Sequence, residues 1–197
     1  MLWNAGPRLG EVHSLDVCDV DTTTNDLLFR HRPEEGTRLK NGCSDDDTPG
    51  DGERDVNLRP RAVDALGQYI ETERPAVTDE WGRRPLFATS HGRATASTLR
   101  RWVYKATSCR WADATLTDVT CDGSCCPDSS VCAWSYYPHA IRRGAIVNHL
   151  SGGLRPDRAS ERFDVSMSVI EEHYDPRTKQ QKKEDRAEAV RNAWSDF

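Results

Sequence analysis

PHAIRRGAI, residues 138–146, decides how this chain reads, taken together with HYDPR, residues 173–177. The proline opens a helical run, and His139 and Arg142 stand three apart within it. That spacing puts both side chains on one helix face, one turn apart. A guanidinium is a planar fork that grips two oxygens of a phosphate. An imidazole donates to the same group or moves a proton near neutral pH. Tyr174 follows in a short polar stretch between charged segments. A phenol, an imidazole and an arginine suit covalent phosphoryl transfer. Alone, H-x-x-R is equally a surface pair on a helix.

Outward from that stretch, the chain supplies the remaining basic groups in order. GPRLGEVHSLDVCDVD, residues 6–21, carries Arg8 and Glu11, again three apart. LFRHRPEEGTRLKNG, residues 28–42, places Lys40 near the turn of a hairpin, and GRRPLFATSHGR spans residues 82–93. Arg, Lys, His-x-x-Arg and Tyr in this order resemble the catalytic domain of tyrosine recombinases, the phage integrase family. The phrases RHRPEEGTRLKNG, GRRPLFATSHGR, YPHAIRRG and HYDPRT are most similar to archaeal members. The resemblance runs from about Gly6 to about Arg186, nearly the whole chain.

The resemblance implies an α+β fold: a mainly helical catalytic domain with a small antiparallel sheet, of the DNA breaking-rejoining type. It implies one domain over residues 1–188, with an acidic hairpin insertion at 41–53 and a Cys-rich segment at 107–137. A charged C-terminal helix or tail covers 179–197. Members of the family carry a separate helical DNA-binding domain ahead of the first arginine. Met1 falls just before Arg8, so a catalytic domain lacking that clamp is expected.

The implied activity is site-specific recombination of double-stranded DNA. Arg8 and Arg142 would hold the scissile phosphate, Tyr174 would form a 3′-phosphotyrosyl link, Lys40 would protonate the departing 5′ oxygen, and His139 would assist proton traffic. Glu11 would orient Arg8. A second histidine or a tryptophan normally stands a little ahead of the nucleophile, where this chain has Arg162, Phe163, Asp164 and Val165. Arg162 can donate to a phosphate oxygen; an ionised Asp164 cannot. Two further readings follow: a DNA-binding remnant without the chemistry, and a relaxing enzyme like a type IB topoisomerase. The ester keeps the bond energy, so no nucleotide cofactor is required, and the arginines supply the positive charge, so the chemistry needs no metal.

Composition bounds these readings. With 197 residues, 36% hydrophobic and 30% charged, the chain suffices for one domain with a modest core. No apolar run reaches the length of a membrane span and no signal-peptide pattern opens the chain, so a cytoplasmic protein is expected. The net charge of -5 weighs mildly against nucleic acid, although an acidic protein can still present a basic cleft. Abundant Asp with little Lys suits a salt-rich cytoplasm.

Locally, Leu9, Val12 and Leu15 have helical spacing, with Arg8 at the helix start. Asp19–Arg32 reads as one strand and Arg54–Leu58 as a second. Val63–Arg74 reads as an amphipathic helix. Thr95 or Ser97 caps a further helix that faces Leu99, Trp102 and Val103 inward. Arg93, Arg100, Arg101 and Lys105 on its other flank are either a DNA-backbone face or a solvated one.

Five of the seven cysteines, Cys109, Cys121, Cys125, Cys126 and Cys132, fall within the odd segment 107–137. Two readings stand: a structural zinc held by four thiolates, or a loop of ordinary thiols. Ala187, Val190, Ala193 and Trp194 give the tail helix a narrow apolar stripe. In the resembling enzymes such a helix docks on a neighbouring protomer, which implies a homo-oligomer on DNA.

Overall fold

The computed structural model describes residues 1–41, 52–109, 132–175, 177 and 179–194. Two short helices, α1 (Leu2–Ala5) and α2 (Leu9–Ser14), open the chain. Strands β1 (Val20–Asp21), β2 (Asp26–Phe29) and β3 (Arg54–Asn57) form an antiparallel sheet in the order β1-β2-β3, with Leu27 paired to Val20 on one side and Val56 on the other. Helix α3 (Pro60–Gln68) continues as a π-turn through Glu73. A small hairpin of β4 (Ala88–Thr89) and β5 (Gly92–Arg93) precedes helix α4 (Ala96–Thr107). The second half is helical: α5 (Pro138–Ser151), α6 (Pro156–Phe163), α7 (Met167–Val169), which runs into a π-turn over Ile170–Tyr174, and α8 (Lys179–Trp194). This is the expected α+β fold, mainly helical with a small antiparallel sheet.

The stretch expected as one strand, Asp19–Arg32, is instead a hairpin. The Asp21 carboxylate accepts the backbone N–H groups of Thr23 and Thr24 at 2.8 and 3.2 Å. Asn25 then takes a left-handed φ of 63°. An Asp-initiated turn ending in Asn is a strong local reversal, and it overrides the alternation on either side. The amphipathic helix begins earlier than its apolar stripe, because Pro60 fits the first helical position, where no N–H is needed. Thr95 is the cap of α4, accepting from Thr98 N at 3.2 Å.

Two apolar clusters hold the fold. One gathers the sheet, α3 and the chain around Leu86, through Leu27, Phe29, Val56 and Leu66. The other packs α5, α6 and the π-turn through Ile146, Leu150, Phe163, Ile170 and Tyr174. Burial of such side chains contributes about 1.5–3 kcal/mol each. Gly6 joins the two halves: it has φ +54°, and a Cβ there would sit 2.7 Å from the Phe163 ring. Only glycine combines that conformation with that approach.

Arg93 does not lie on the outer flank of α4. It ends β5 and pairs with Asp16 and Asp79, both at 2.6 Å, as part of a network in which Asp16 also meets Arg83 at 2.7 Å and Arg32 at 3.4 Å. Asp16 is 3% exposed, so this network is a buried tie between the first helices and the β4–β5 hairpin. Arg100, Arg101 and Lys105 are exposed on α4.

Candidate active site around the end of helix α6

Helix α6 ends with Asp164 in the left-handed region, φ 48° and ψ 62°. A helix end leaves carbonyls without intrahelical partners and carries partial negative charge. Here three arginines from distant parts of the chain take three consecutive carbonyls. Arg54 Nε donates to Arg162 O at 2.9 Å, Arg142 Nη2 to Phe163 O at 2.5 Å, and Arg8 Nη2 to Asp164 O. Arg142 Nη1 also donates to Gly6 O at 2.7 Å.

Glu11 bridges the same three guanidiniums. Its carboxylate meets Arg8 Nη1 at 3.0 Å, Arg54 Nη2 at 2.9 Å and Arg142 Nη1 at 3.9 Å. It also accepts the backbone N–H of Arg8 at 2.7 Å, half of a capping box at the start of α2. Glu11 is 1% exposed, so this is a buried counter-ion. The Asp164 carboxylate pairs with Arg8 Nη1 and accepts the side-chain amide of Asn41 at 2.8 and 3.0 Å. Three arginines against two carboxylates leave one net positive charge.

Burial grades the three cations. The side chain of Arg142 is 3% exposed, that of Arg54 9% and that of Arg8 22%. An anion arriving from solvent therefore meets Arg8 first. Arg142 is pushed down to about 10, chiefly by burial and then by the Arg8 charge, against the opposing pull of Glu11. It remains charged at neutral pH. Tyr174 closes the π-turn and is buried against α5 and α6.

The sequence-derived residues distribute as follows. Arg8, Arg142 and Glu11 converge, and Tyr174 packs in the apolar cluster of α5 and α6, with Ile146 and Phe163. His139 is exposed on the first turn of α5, one turn before Arg142. Lys40 is exposed in a turn, and its neighbour Asn41 reaches Asp164, so the hairpin end comes to the arginine cluster. Arg162 points elsewhere: its Nη2 donates to Asn4 O at 3.1 Å and Asn57 O at 2.7 Å, and its Nε is buried without a partner. Burial and then the Arg54 charge hold the Arg162 pKa below the usual guanidinium range.

Arg54 and Asn41 were not among the expected residues. Arg54 had a signal, since it shares a strand face with buried Val56 and so points a charge inward. Cys109 N lies 3.4 Å from Cys132 Sγ, while Cys121, Cys125 and Cys126 lie outside the described residues. Among the described residues no cluster of His, Cys, Asp and Glu could hold a metal ion, and no helix is long and apolar enough to cross a membrane.

No protein-family model matches the chain, and no curated protein matches it by sequence. Solved structures do. The XerA recombinase structure superposes with a TM-score of 0.60 at 18% identity, covering 95% of this chain and 54% of that one. The Tn1549 transposon integrase in complex with transposon right end DNA gives 0.64 at 15% identity, covering 98% and 56%. The same integrase with a circular intermediate DNA gives 0.61 at 16%. The chain thus has the fold found in these recombinases and spans about half the length of the structures it matches.

Proposed function

We propose that this chain breaks and rejoins double-stranded DNA through a 3′-phosphotyrosyl intermediate, as a site-specific recombinase or integrase. The observation that supports the reading is the convergence of Arg8 and Arg142, 134 residues apart, on the end of α6, whose Phe163 shares one apolar cluster with Tyr174. A pentavalent phosphorus concentrates negative charge, and preorganised cations in a partly dry site stabilise it.

In the proposed step, Tyr174 Oη attacks the phosphorus and loses its proton, with His139 assisting. The P–O5′ bond breaks and the 5′ oxygen takes a proton from Lys40. Attack by a 5′ hydroxyl reverses the step. No bond energy is lost, so no nucleotide is drawn upon, and Arg8 and Arg142 would supply the positive charge that a metal otherwise brings. Assembly of copies on DNA through α8 belongs to the same proposal, supported by the exposure of Val190 and Trp194, 43% and 72%. So does a cytoplasmic setting.

The test is covalent trapping. The full chain is incubated with a pool of nicked duplexes of randomised sequence, in which the cleaved end diffuses away. Denaturing electrophoresis then shows a protein–DNA adduct, absent from Tyr174→Phe, which still shifts duplex DNA in a native gel. An adduct that survives Tyr174→Phe removes the assigned nucleophile. A chain that shifts DNA and is never trapped is a binder without the chemistry. That competing reading is supported by Asp164 and Val165 near the place where a second histidine or tryptophan is expected.

A further inference from the structure

We propose that Asn41 is a positioning residue for the leaving-group acid: through Asp164, it fixes the turn that carries Lys40 against the arginine cluster. The inference rests on the recombinase reading above and adds a residue to it.

An exposed lysine has four rotatable bonds and a flexible stem. To deliver a proton to one oxygen, its backbone must be held. Lys40 has an anchor on each side. Before it, Leu39 is 4% exposed in the core, and its N–H donates to His31 Nδ1 at 3.0 Å. After it, the Asn41 amide donates to both oxygens of Asp164, at 2.8 and 3.0 Å, across 123 positions of sequence. The first anchor sits within the hairpin. The second ties the Lys40 end of the hairpin to Asp164, and through it to Arg8.

Asp164 suits that task. Its left-handed backbone at the end of α6 is one that Asp tolerates. One of its carboxylate oxygens is already paired with Arg8, and its own carbonyl accepts from the same guanidinium. A hydrogen bond to an ionised, immobilised acceptor is stronger than one between neutral groups. Asp164 therefore joins Arg8, the turn at Lys40 and the segment leading to Tyr174. A phosphate held by Arg8 and an ammonium carried one residue from Asn41 share one reference point.

The readout separates positioning of an acid from general support of the site. A 5′-bridging phosphorothiolate replaces the leaving oxygen with sulfur, which departs as a thiolate and needs no proton, because thiols ionise near pH 8.5. The parent chain, Asn41→Ala, Asn41→Asp, Lys40→Ala and Arg142→Ala are compared in single-turnover cleavage of a nicked duplex recovered by trapping. Oxygen-linked and sulfur-linked versions are used. Asn41→Ala and Asn41→Asp, the second placing two carboxylates together, are expected to cleave the oxygen substrate about tenfold more slowly, short of the roughly 10²–10⁴-fold attributed to a general acid. Both are expected to cleave the sulfur substrate within about twofold of the parent rate, as Lys40→Ala does, whereas Arg142→Ala stays slow on both. Parent-like rates for the Asn41 variants on oxygen, or equal losses on oxygen and sulfur, overturn the inference alone. A parent chain that is never trapped takes the inference down with the reading beneath it.

Discussion

Replacing Glu11 with glutamine tests whether the three arginines are held as a poised anion site. The carboxylate is 1% exposed and neutralises guanidiniums at 2.9, 3.0 and 3.9 Å. Glutamine keeps the shape, removes the charge, and turns an N–H₂ toward donors. Each pair near 4 Å is worth about 4 kcal/mol at an effective dielectric of about 20, before the cost of desolvating the partners. Breaking one partner of a buried pair typically costs about 3–5 kcal/mol. For a domain of this size each kcal/mol moves Tm by about 2–4 °C, so Glu11→Gln should melt about 10 °C lower. The freed arginines should then favour an external dianion. Sulfate at a hundred times its Kd returns about 2.7 kcal/mol by mass action. Thermal unfolding of parent and variant is followed by circular dichroism across a sulfate series, with sodium chloride at matched ionic strength as the control. The variant should gain more from sulfate than the parent does. A Tm within about 2 °C of the parent, or identical sulfate responses, would refute the reasoning, because Glu11 would then not be what balances the cluster.

Two further outcomes follow from other buried charges. Asp16→Asn should lower the urea midpoint by the equivalent of about 3–5 kcal/mol, since Arg83 and Arg93 lose a carboxylate that is 3% exposed; an unchanged midpoint would mean the network contributes nothing. His13 is held below its usual pKa by burial and then by Arg93 and Arg83, so the unfolded chain binds that proton more readily. Its contribution to stability is therefore present above about pH 6.5 and is lost as pH falls from there toward the folded value. His13→Asn should flatten the fall in urea midpoint between about pH 7.5 and 5.5, and an undiminished fall would assign the slope to other groups.

The parts of the fold legible in the sequence are those with one dominant local cause. Pro138 followed by Ile141, Ala145, Ile146 and Leu150 specifies α5 and its buried side, and Thr95 specifies the start of α4. The hairpin inside Asp19–Arg32 was carried by a different signal, the side-chain acceptor of Asp21 followed by Asn25. Reading alternation alone conceals such a reversal, because hydrophobic period and turn chemistry are separate codes on the same residues. Arg93 shows a related limit. Counted with the basic residues of α4 it looks solvated, yet two positions after the turn at Ser90 and His91 it belongs to a strand that points it at Asp16 and Asp79.

The candidate site divides along the same line. Arg8 and Arg142 stand in motifs, and Glu11 is three residues from Arg8, so spacing reaches all three. What spacing cannot reach is the surface they meet on. The carbonyls of Arg162, Phe163 and Asp164 exist as acceptors only because α6 stops there, and any residue type offers a carbonyl. Arg54 and Asn41 are drawn in by that helix end and by Asp164; alternation with Val56 turns Arg54 inward without naming its target, and Asn41 carries no side-chain pattern of its own. Asp164 therefore reads in opposite ways at the two levels. By residue chemistry it is an anion that cannot hold a phosphate. By position it is the group that makes a distant turn and a distant arginine share one origin, and a charge that must be counted whenever another anion enters.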